Sequence, residues 1–442
     1  MPNSKLNPSV EERLARGKAL RKKLPRAEQC KWLRAEDRPD PIAILQEADR
    51  GRVESLLPIK YGRMSVSPFG CFRGAAPVMA HDLSKLPHTD LAVQMCGDAH
   101  IRNLGAYASP EGNLVFDIND FDESIPGPWE WDLKRLATSF VLGGRECGTS
   151  DSRCGDAVRA LVASYRDALF RFAHMPFLDL VRHQVKRLMM AKPVQSILQQ
   201  AERSTPLRNL QKLTERTGSG VPRFASRPPL LRRLRGAEAQ GVIDSLPEYR
   251  ESLGYDRQLI FDAYRPVDVA MKIVGTGSVG TRDYVVLFFG IGEDDPLFLQ
   301  VKQEMPSCYQ PYLDVKPSAH QGRRTAEGQR RMQTISDPLL GWTTIAGNDY
   351  LVRQLADHKS SIDPTALSGS ALMEYAVVCG EVFARAHART GDAAALAGYC
   401  GKAPVLDEAI RRFALSYADM ATADYDVLRA AIRKRRVKAV IA

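Results

Sequence analysis

The sequence predicts an α+β protein made of a mostly helical large lobe and a small antiparallel β lobe. Two observations predict it. Apolar runs of strand length at 267–274, 283–290 and 297–304 follow one another across short glycine-containing turns, the pattern of an antiparallel meander. Helical spacing governs 129–144, where Leu133, Leu136, Ala137 and Phe140 share one side, and it returns at 370–390. The chain is therefore helical, then β-rich, then helical again. This order divides it into a basic helical segment at 1–60, a helical lobe at 61–240, a β-rich lobe at 241–360 and closing helices at 361–442 that complete the large lobe.

The 442 residues are enough for two or three domains or lobes with a sizeable core. An apolar share of 44% and a charged share of 26% are those of a globular chain. No apolar run approaches the ~18 residues that a membrane span needs, and 1–35 holds ten Lys/Arg against three Glu in place of a signal-peptide core. Eight scattered cysteines without a CxxC pair fit reduced thiols, so the expected compartment is cytoplasmic, with no membrane partner. The net charge is +10. Thirteen Lys/Arg against three acids crowd 181–240, and six bases lie in 429–438. These read as solvated faces that attract anions in preference to a nucleic-acid surface, because no zinc-finger spacing or RNA-binding aromatic signature accompanies them.

In chain order, 8–35 reads as an amphipathic helix with Leu14, Leu20 and Leu24 among bases, and 42–57 as a second helix. A loop-rich stretch carrying Arg63, Phe69, Phe72, Arg73 and Gly74 follows; it is either a packed aromatic loop or the seat of an arginine aimed at a phosphate. Short strands are expected at 91–95 and 114–118, joined in a hairpin-like pair. A helix begins near Trp129 and helices continue through 156–200. Residues 203–236, rich in proline, glycine and bases, form a connection. After the meander come a helix at 318–336, a strand at 349–355 and the helix at 370–390.

Between Asp98 and Asp132 stand eight carboxylates against one base, Arg102. Like charges held that close need a cation or protons, and oxygen ligands of this kind suit Mg2+ when phosphates complete the shell. Asp98, His100 and Asn103 share one turn; Asp117, Asp120 and Asp122 share a strand end. No calcium-loop pattern is present. His100 is expected to pack or hydrogen-bond.

The second group lies almost two hundred residues later. Gly275, Gly277, Ser278 and Gly280 form a glycine-rich turn between two strands, where backbone N–H groups can approach phosphates without a Cβ in the way. No βαβ unit or Gly-Lys-Ser/Thr accompanies it, which excludes a dinucleotide fingerprint and a Walker loop. One strand later comes Lys302, in reach of the α- and β-phosphates of a nucleotide under that turn. Glu327, in the next helix, is its expected acidic partner; Glu304 is the second choice. Each feature alone also fits a plain structural part, a tight hairpin or a surface lysine.

Gly97-Asp98-Ala-His100-Ile-Arg-Asn103, then Asn119-Asp120-Phe-Asp122, then Gly127-Pro-Trp-Glu-Trp-Asp132-Leu resembles the catalytic segment of aminoglycoside phosphotransferase and choline kinase-like enzymes. The resemblance implies a protein kinase-like two-lobe fold, with Asp98 as catalytic aspartate, Asn103 and Asp120 as Mg2+ ligands and Asp132 as a brace of the catalytic loop. Cys96 stands where those enzymes carry a histidine. The glycine-rich turn and Lys302 also follow the catalytic segment instead of preceding it, an order that a circular permutation reconciles. The end of the 370–390 helix should then lie beside residue 91. Over nearly its whole length the chain also resembles a bacterial family catalogued as domain of unknown function 2252.

The expected function is Mg2+- and ATP-dependent phosphoryl transfer to the hydroxyl or amine of an acceptor, with the basic 181–240 stretch hinting at an anionic one and nucleotidyl transfer as a close variant. Two other classes remain open at this stage: a metal-dependent hydrolase built on Asp98, His100, Asp117, Asp120 and Asp122, and a nucleotide-binding regulatory module without catalysis.

Overall fold

A six-stranded antiparallel sheet forms the β-rich part, in the order Gly341–Ile345, Asn348–Gln354, Pro296–Gln303, Asp283–Phe289, Arg265–Lys272, Leu231–Arg233. The computed structural model describes residues 8–32, 37–185, 191–216, 220–273, 275–355 and 360–440. The three meander strands occur as expected, though Val274 lies outside the described residues. Pro296–Gln303 is buried at every position, as a central strand covered on both faces must be. Its register sets Lys302 opposite Asp283 on one side and Leu351 on the other. The helix Gln321–Met332 packs on Asn348–Gln354, and Gly322 permits the approach, since a Cβ there would strike the Tyr350 carbonyl.

The helical part is organised on Trp129–Glu146, which is buried from Trp129 through Gly144. Asp151–Ala173 and Ser370–Thr390 pack together at backbone distance because Gly380 leaves room for the Leu161 carbonyl. Ser164 Oγ donates to the Val377 carbonyl at 2.7 Å. Trp129 stacks on Tyr165 with the rings 9° from parallel. Each fully buried Leu, Phe or Val here contributes about 1.5–3 kcal/mol, and this is the largest apolar core of the molecule. The sheet has a separate core around Tyr249, Phe288 and Leu299. The fold is α+β with antiparallel sheets, and among the described residues no helix is long and apolar enough to cross a membrane.

Five local expectations need correction. The 8–35 segment is not one helix. Val10–Ala19, opened by a Ser9–Glu12 capping box, gives way to 3-10 turns at Leu20–Lys22 and Arg26–Cys30, because Pro25 removes a donor from the continuing ladder. Residues 33–35 of that expectation lie outside the described residues. The 42–57 segment likewise ends its helix at Ala48 and resumes as a 3-10 turn at Glu54–Leu56. The supposed loop around Arg63 and Arg73 is three short helices, Leu57–Met64, Pro68–Gly74 and Ala76–Ser84, each with proline in its first turn, where the missing N–H has no cost.

The strands at 91–95 and 114–118 do not pair with each other. Ala92–Met95 pairs with Ile125–Pro128, whereas Leu114–Ile118 pairs with Leu104–Ala108 across the Gly112 turn. Leu104–Ala108 is poor in large residues, but Gly105 has to be small: a Cβ there would meet the carbonyl of Ser360, on the strand flanking it. The connection at 203–236 also holds structure, a helix at Pro206–Leu213 and short strands at Thr214–Arg216, Pro222–Phe224 and Leu231–Arg233. Its residues 217–219 lie outside the described ones.

Candidate active site

The strand Ala92–Met95 runs into a sharp turn at Cys96–Gly97, and Gly97 sits at φ +81°. A Cβ there would overlap the carbonyl and side chain of Glu123, so only glycine fits. The turn is held from the first turn of the Trp129–Glu146 helix. Asp132 accepts from the Cys96 N–H at 2.8 Å and from the Gly97 N–H at 2.9 Å. Its Oδ2 lies 3.3 Å from His387 Nε2, whose other ring nitrogen meets the Tyr165 hydroxyl at 2.8 Å. Cys96, buried against Asp132, has its thiol pushed well up by burial and by that carboxylate, and so stays protonated. Tyr309 donates to the Gly97 carbonyl at 2.6 Å.

Asp98 emerges from this turn with one oxygen already engaged. Arg135, one helical turn beyond Asp132 on the same face, donates to Asp98 Oδ1 from Nε at 2.7 Å and is itself fixed by the Phe72 carbonyl and ring. Burial pushes the Asp98 carboxyl up, against the pull of Arg135. His100 is buried and its Nδ1 accepts from the Arg102 N–H at 3.2 Å. Burial and the neighbouring Arg73 hold it well below the usual imidazole range. The neutral ring therefore carries its proton on Nε2, 3.7 Å from Asp98 Oδ2. Asn103 donates from Nδ2 to the Asp98 carbonyl at 2.6 Å. That bond assigns the amide oxygen as its remaining polar end.

Asp120 and Asp122 follow the hairpin, and Lys302 comes to them from the sheet. Its ammonium pairs with Asp122 and lies 4.0 Å from Asp120. Burial and Asp122 push the Asp120 carboxyl up. For Asp122 burial acts in the same direction, but Lys302 more than offsets it and holds the carboxyl below its ordinary value. Asp120 Oδ1 and Asp122 Oδ1 are buried without a hydrogen-bond partner among the described residues. Asp98, His100, Asn103, Asp120, Asp122 and the 275–278 backbone line one cleft.

The glycine-rich turn is anchored by Arg52, in the loop before Glu54–Leu56, and by Arg63 of the Leu57–Met64 helix. Arg52 donates to the Gly277 carbonyl at 2.6 Å and the Val279 carbonyl at 2.8 Å, and Arg63 donates to the Gly275 carbonyl. Carbonyls are thus tied to one side by guanidinium groups. Gly280, at φ +99°, accepts from the Val53 N–H at 2.7 Å. Gly275 and Ser278 face the cleft with Thr276 and Gly277, and Gly280 closes the turn next to them.

A sequence model of the family described as "Uncharacterized protein conserved in bacteria (DUF2252)" matches residues 52–431. The chain belongs to that family. No curated protein and no solved structure matches it. In this DUF2252 protein the matched span takes in the anchoring Arg52, the Asp98 turn, the glycine-rich turn and Lys302 together, and leaves out the Val10–Ala19 helix.

Two expected residues are placed differently. Glu327 does not reach Lys302. It pairs along its own helix with Arg323 at 2.7 Å and Arg331 at 3.7 Å, because it occupies the outer face while Thr325 and Ala326 face inward. The acids around Lys302 are Asp122, Asp120 and Glu304, with Asp283 opposite it in the sheet. Glu304 is buried, accepts from Thr325 Oγ1 at 3.1 Å, and has its carboxyl pushed well up by burial and by Asp122. Asp117 also leaves the cluster: it pairs with buried Arg385 and faces a different pocket, with Tyr107 and Thr334. Among the described residues no group of three or more His, Cys, Asp or Glu side chains could hold a metal by itself. A cation here needs Asn103 and ligand oxygens as well.

Arg135 escaped the sequence reading, although a base three residues after Asp132 on an otherwise apolar helix face was a signal. Arg324 escaped it too. It donates to the carbonyls of Asp122, Ser124 and Met305, stitching the acidic loop to the sheet.

Proposed function

We propose that the protein is a Mg2+- and ATP-dependent phosphotransferase with a kinase-like, circularly permuted fold. The observation that carries this is that Lys302 pairs with Asp122 and lies 4.0 Å from Asp120, two acids that line one cleft with Asp98, Asn103 and the glycine-rich turn. Permutation is supported by the place where the 370–390 helix ends. Thr390 Oγ1 accepts from the Gln94 N–H at 3.1 Å, and Gly391 has no room for a Cβ beside Ala92 and Val93. The helix that would precede the catalytic turn in an unpermuted chain is thus next to it in space.

The residues fit a magnesium ion. The unpartnered Oδ1 atoms of Asp120 and Asp122 are buried anionic oxygens, and the Asn103 amide oxygen adds a neutral one. Asn103 and Asp120 would hold the ion, with phosphate oxygens completing its shell. When bound, it would neutralise the charge of the β- and γ-phosphates. The 275–278 backbone covers those phosphates and Lys302 supplies a fixed positive charge beside them. Arg135 immobilises Asp98 Oδ1 and leaves Oδ2 to orient the acceptor. As the bond between the γ-phosphorus and the ADP oxygen breaks and one to the acceptor oxygen or nitrogen forms, the acceptor's proton passes to Asp98. A raised carboxyl is a better base for that transfer than an ordinary one.

The test is ADP formation from Mg·ATP by the full chain and by Asp98→Asn, with nucleotide binding measured in parallel. The proposal expects binding in both and turnover in the wild type alone. Equal turnover in the variant would remove Asp98 from its role.

A further inference from the structure

Beyond the glycine-rich turn the cleft continues into an open groove, sharing Arg73, Gly275 and Thr276 with it. Its walls add Arg63, Arg102 and Ser67, so three arginines face one carboxylate, Glu146, which accepts from the Phe69 N–H at 3.3 Å. Elsewhere in the molecule inward-facing arginines are matched: Arg38 with Asp82 and Asp424, Arg385 with Asp117, Arg135 with Asp98. Arg73 and Arg102 are not. Among the described residues neither guanidinium makes a hydrogen bond or ion pair, and the Nε of each is buried without a partner. Two half-buried guanidiniums side by side repel one another and leave donors unmet, a state that an oxyanion relieves.

We propose that Arg63, Arg73 and Arg102 form a subsite for an oxyanion carried by the acceptor, so that the substrate is a small anionic molecule with a carboxylate or phosphate at one end and a hydroxyl or amine at the other. The acceptor assignment rests on the phosphotransferase reading above. The anion subsite itself does not. The planar guanidinium fork meets carboxylate and phosphate with two parallel N–H bonds, which gives orientation as well as attraction. Arg73 lines both spaces, so an anion held there keeps its neighbouring hydroxyl or amine on the side of Asp98. Among the described residues the groove's other walls come from 63–70, Arg102, Glu146 and 364–365, and none from the strand that bears Lys302. This separates the groove from the side on which Lys302 meets a nucleotide.

The experiment is calorimetric titration of inorganic phosphate and of malonate into the full chain, with and without a saturating nonhydrolysable ATP analogue and Mg2+. The proteins are wild type, Arg102→Gln and Arg73→Gln/Arg102→Gln. Arg102 has no partner to lose, so the single variant keeps the wild-type melting temperature and reads the subsite even if the double variant folds poorly. The expected result is anion binding that persists when the analogue is bound and weakens at least about tenfold in Arg102→Gln, as loss of a charge-assisted contact would give. The tighter of the two probes identifies the acceptor's anion as phosphate or carboxylate. Affinity unchanged by the substitutions, or abolished by the analogue, overturns the proposal; in the second case the arginines serve the nucleotide's own phosphates. If the analogue does not bind wild type, the phosphotransferase reading fails, and the titration without nucleotide still decides whether the anion subsite exists.

Discussion

Lys302 pairs with Asp122 from 180 positions further along the chain, on a central strand of the six-stranded sheet. The pair is inside the molecule at the lysine and at the cleft edge at the carboxylates, with side-chain exposures of 5% for Lys302, 25% for Asp122 and 36% for Asp120. A buried lysine normally loses charge. Here burial acts that way, but Asp122 and Asp120 outweigh it and keep the ammonium fixed. The acidic loop is therefore held against the sheet by a cation whose position a nucleotide could share.

Replacing Lys302 with Met should weaken Mg·ATP binding at least about tenfold, a change of about 1.4 kcal/mol. Calorimetric titration checks it, and circular dichroism shows whether the fold is kept.

Asp98→Asn should keep nucleotide affinity and lower ADP formation by roughly 10²- to 10⁴-fold, the range for a positioned general base. Arg135→Lys should lie between them, since lysine cannot hold Oδ1 through the same fork.

Asp132→Ala removes the acceptor of two buried N–H groups, those of Cys96 and Gly97. Urea unfolding should show a loss of about 3 kcal/mol, at 1–3 kcal/mol for each unsatisfied group. Asp132→Asn keeps one accepting oxygen and should lose less.

Asp283, buried opposite Lys302, has its carboxyl pushed up to about 6 by burial. A folded value above the unfolded one gives stability that is present below the ordinary carboxylate range and lost as pH rises through 6. Asp283→Asn lacks that dependence and keeps an acceptor for Gln300 Nε2, which donates at 2.7 Å. Relative to wild type it should gain about 2 kcal/mol between pH 4.5 and pH 8, at 1.36 kcal/mol per pH unit. A gap that stays constant with pH would contradict the assignment.

The meander, the Trp129 helix and the 370–390 helix were legible because each carries its own period over many residues. The pairing of Ala92–Met95 with Ile125–Pro128 was not, since four-residue strands hold too few positions to show a partner. Proline misled at 57–84, where it starts helices instead of breaking them. Asp98, Asn103 and Asp120 share a local motif and come together as expected. Glu327 did not, because which face of a helix meets a lysine one strand away depends on packing: here the Gly322 side lies on the sheet and leaves Glu327 outside. Arg73 and Arg102 had a visible charge but no visible lack of partners, which only the assembled fold reveals.

The central claim, that the acids of the 98–122 segment and Lys302 form one nucleotide site, is tested most directly by thermal stabilisation. Melting temperatures of wild type and Asp120→Ala are measured against ATP, with Mg2+ and with chelator. The account predicts that Mg·ATP raises the wild-type midpoint with increasing ligand, more than ATP alone, and that Asp120→Ala loses the magnesium-dependent part. No shift of the wild type with ATP under either condition would contradict it.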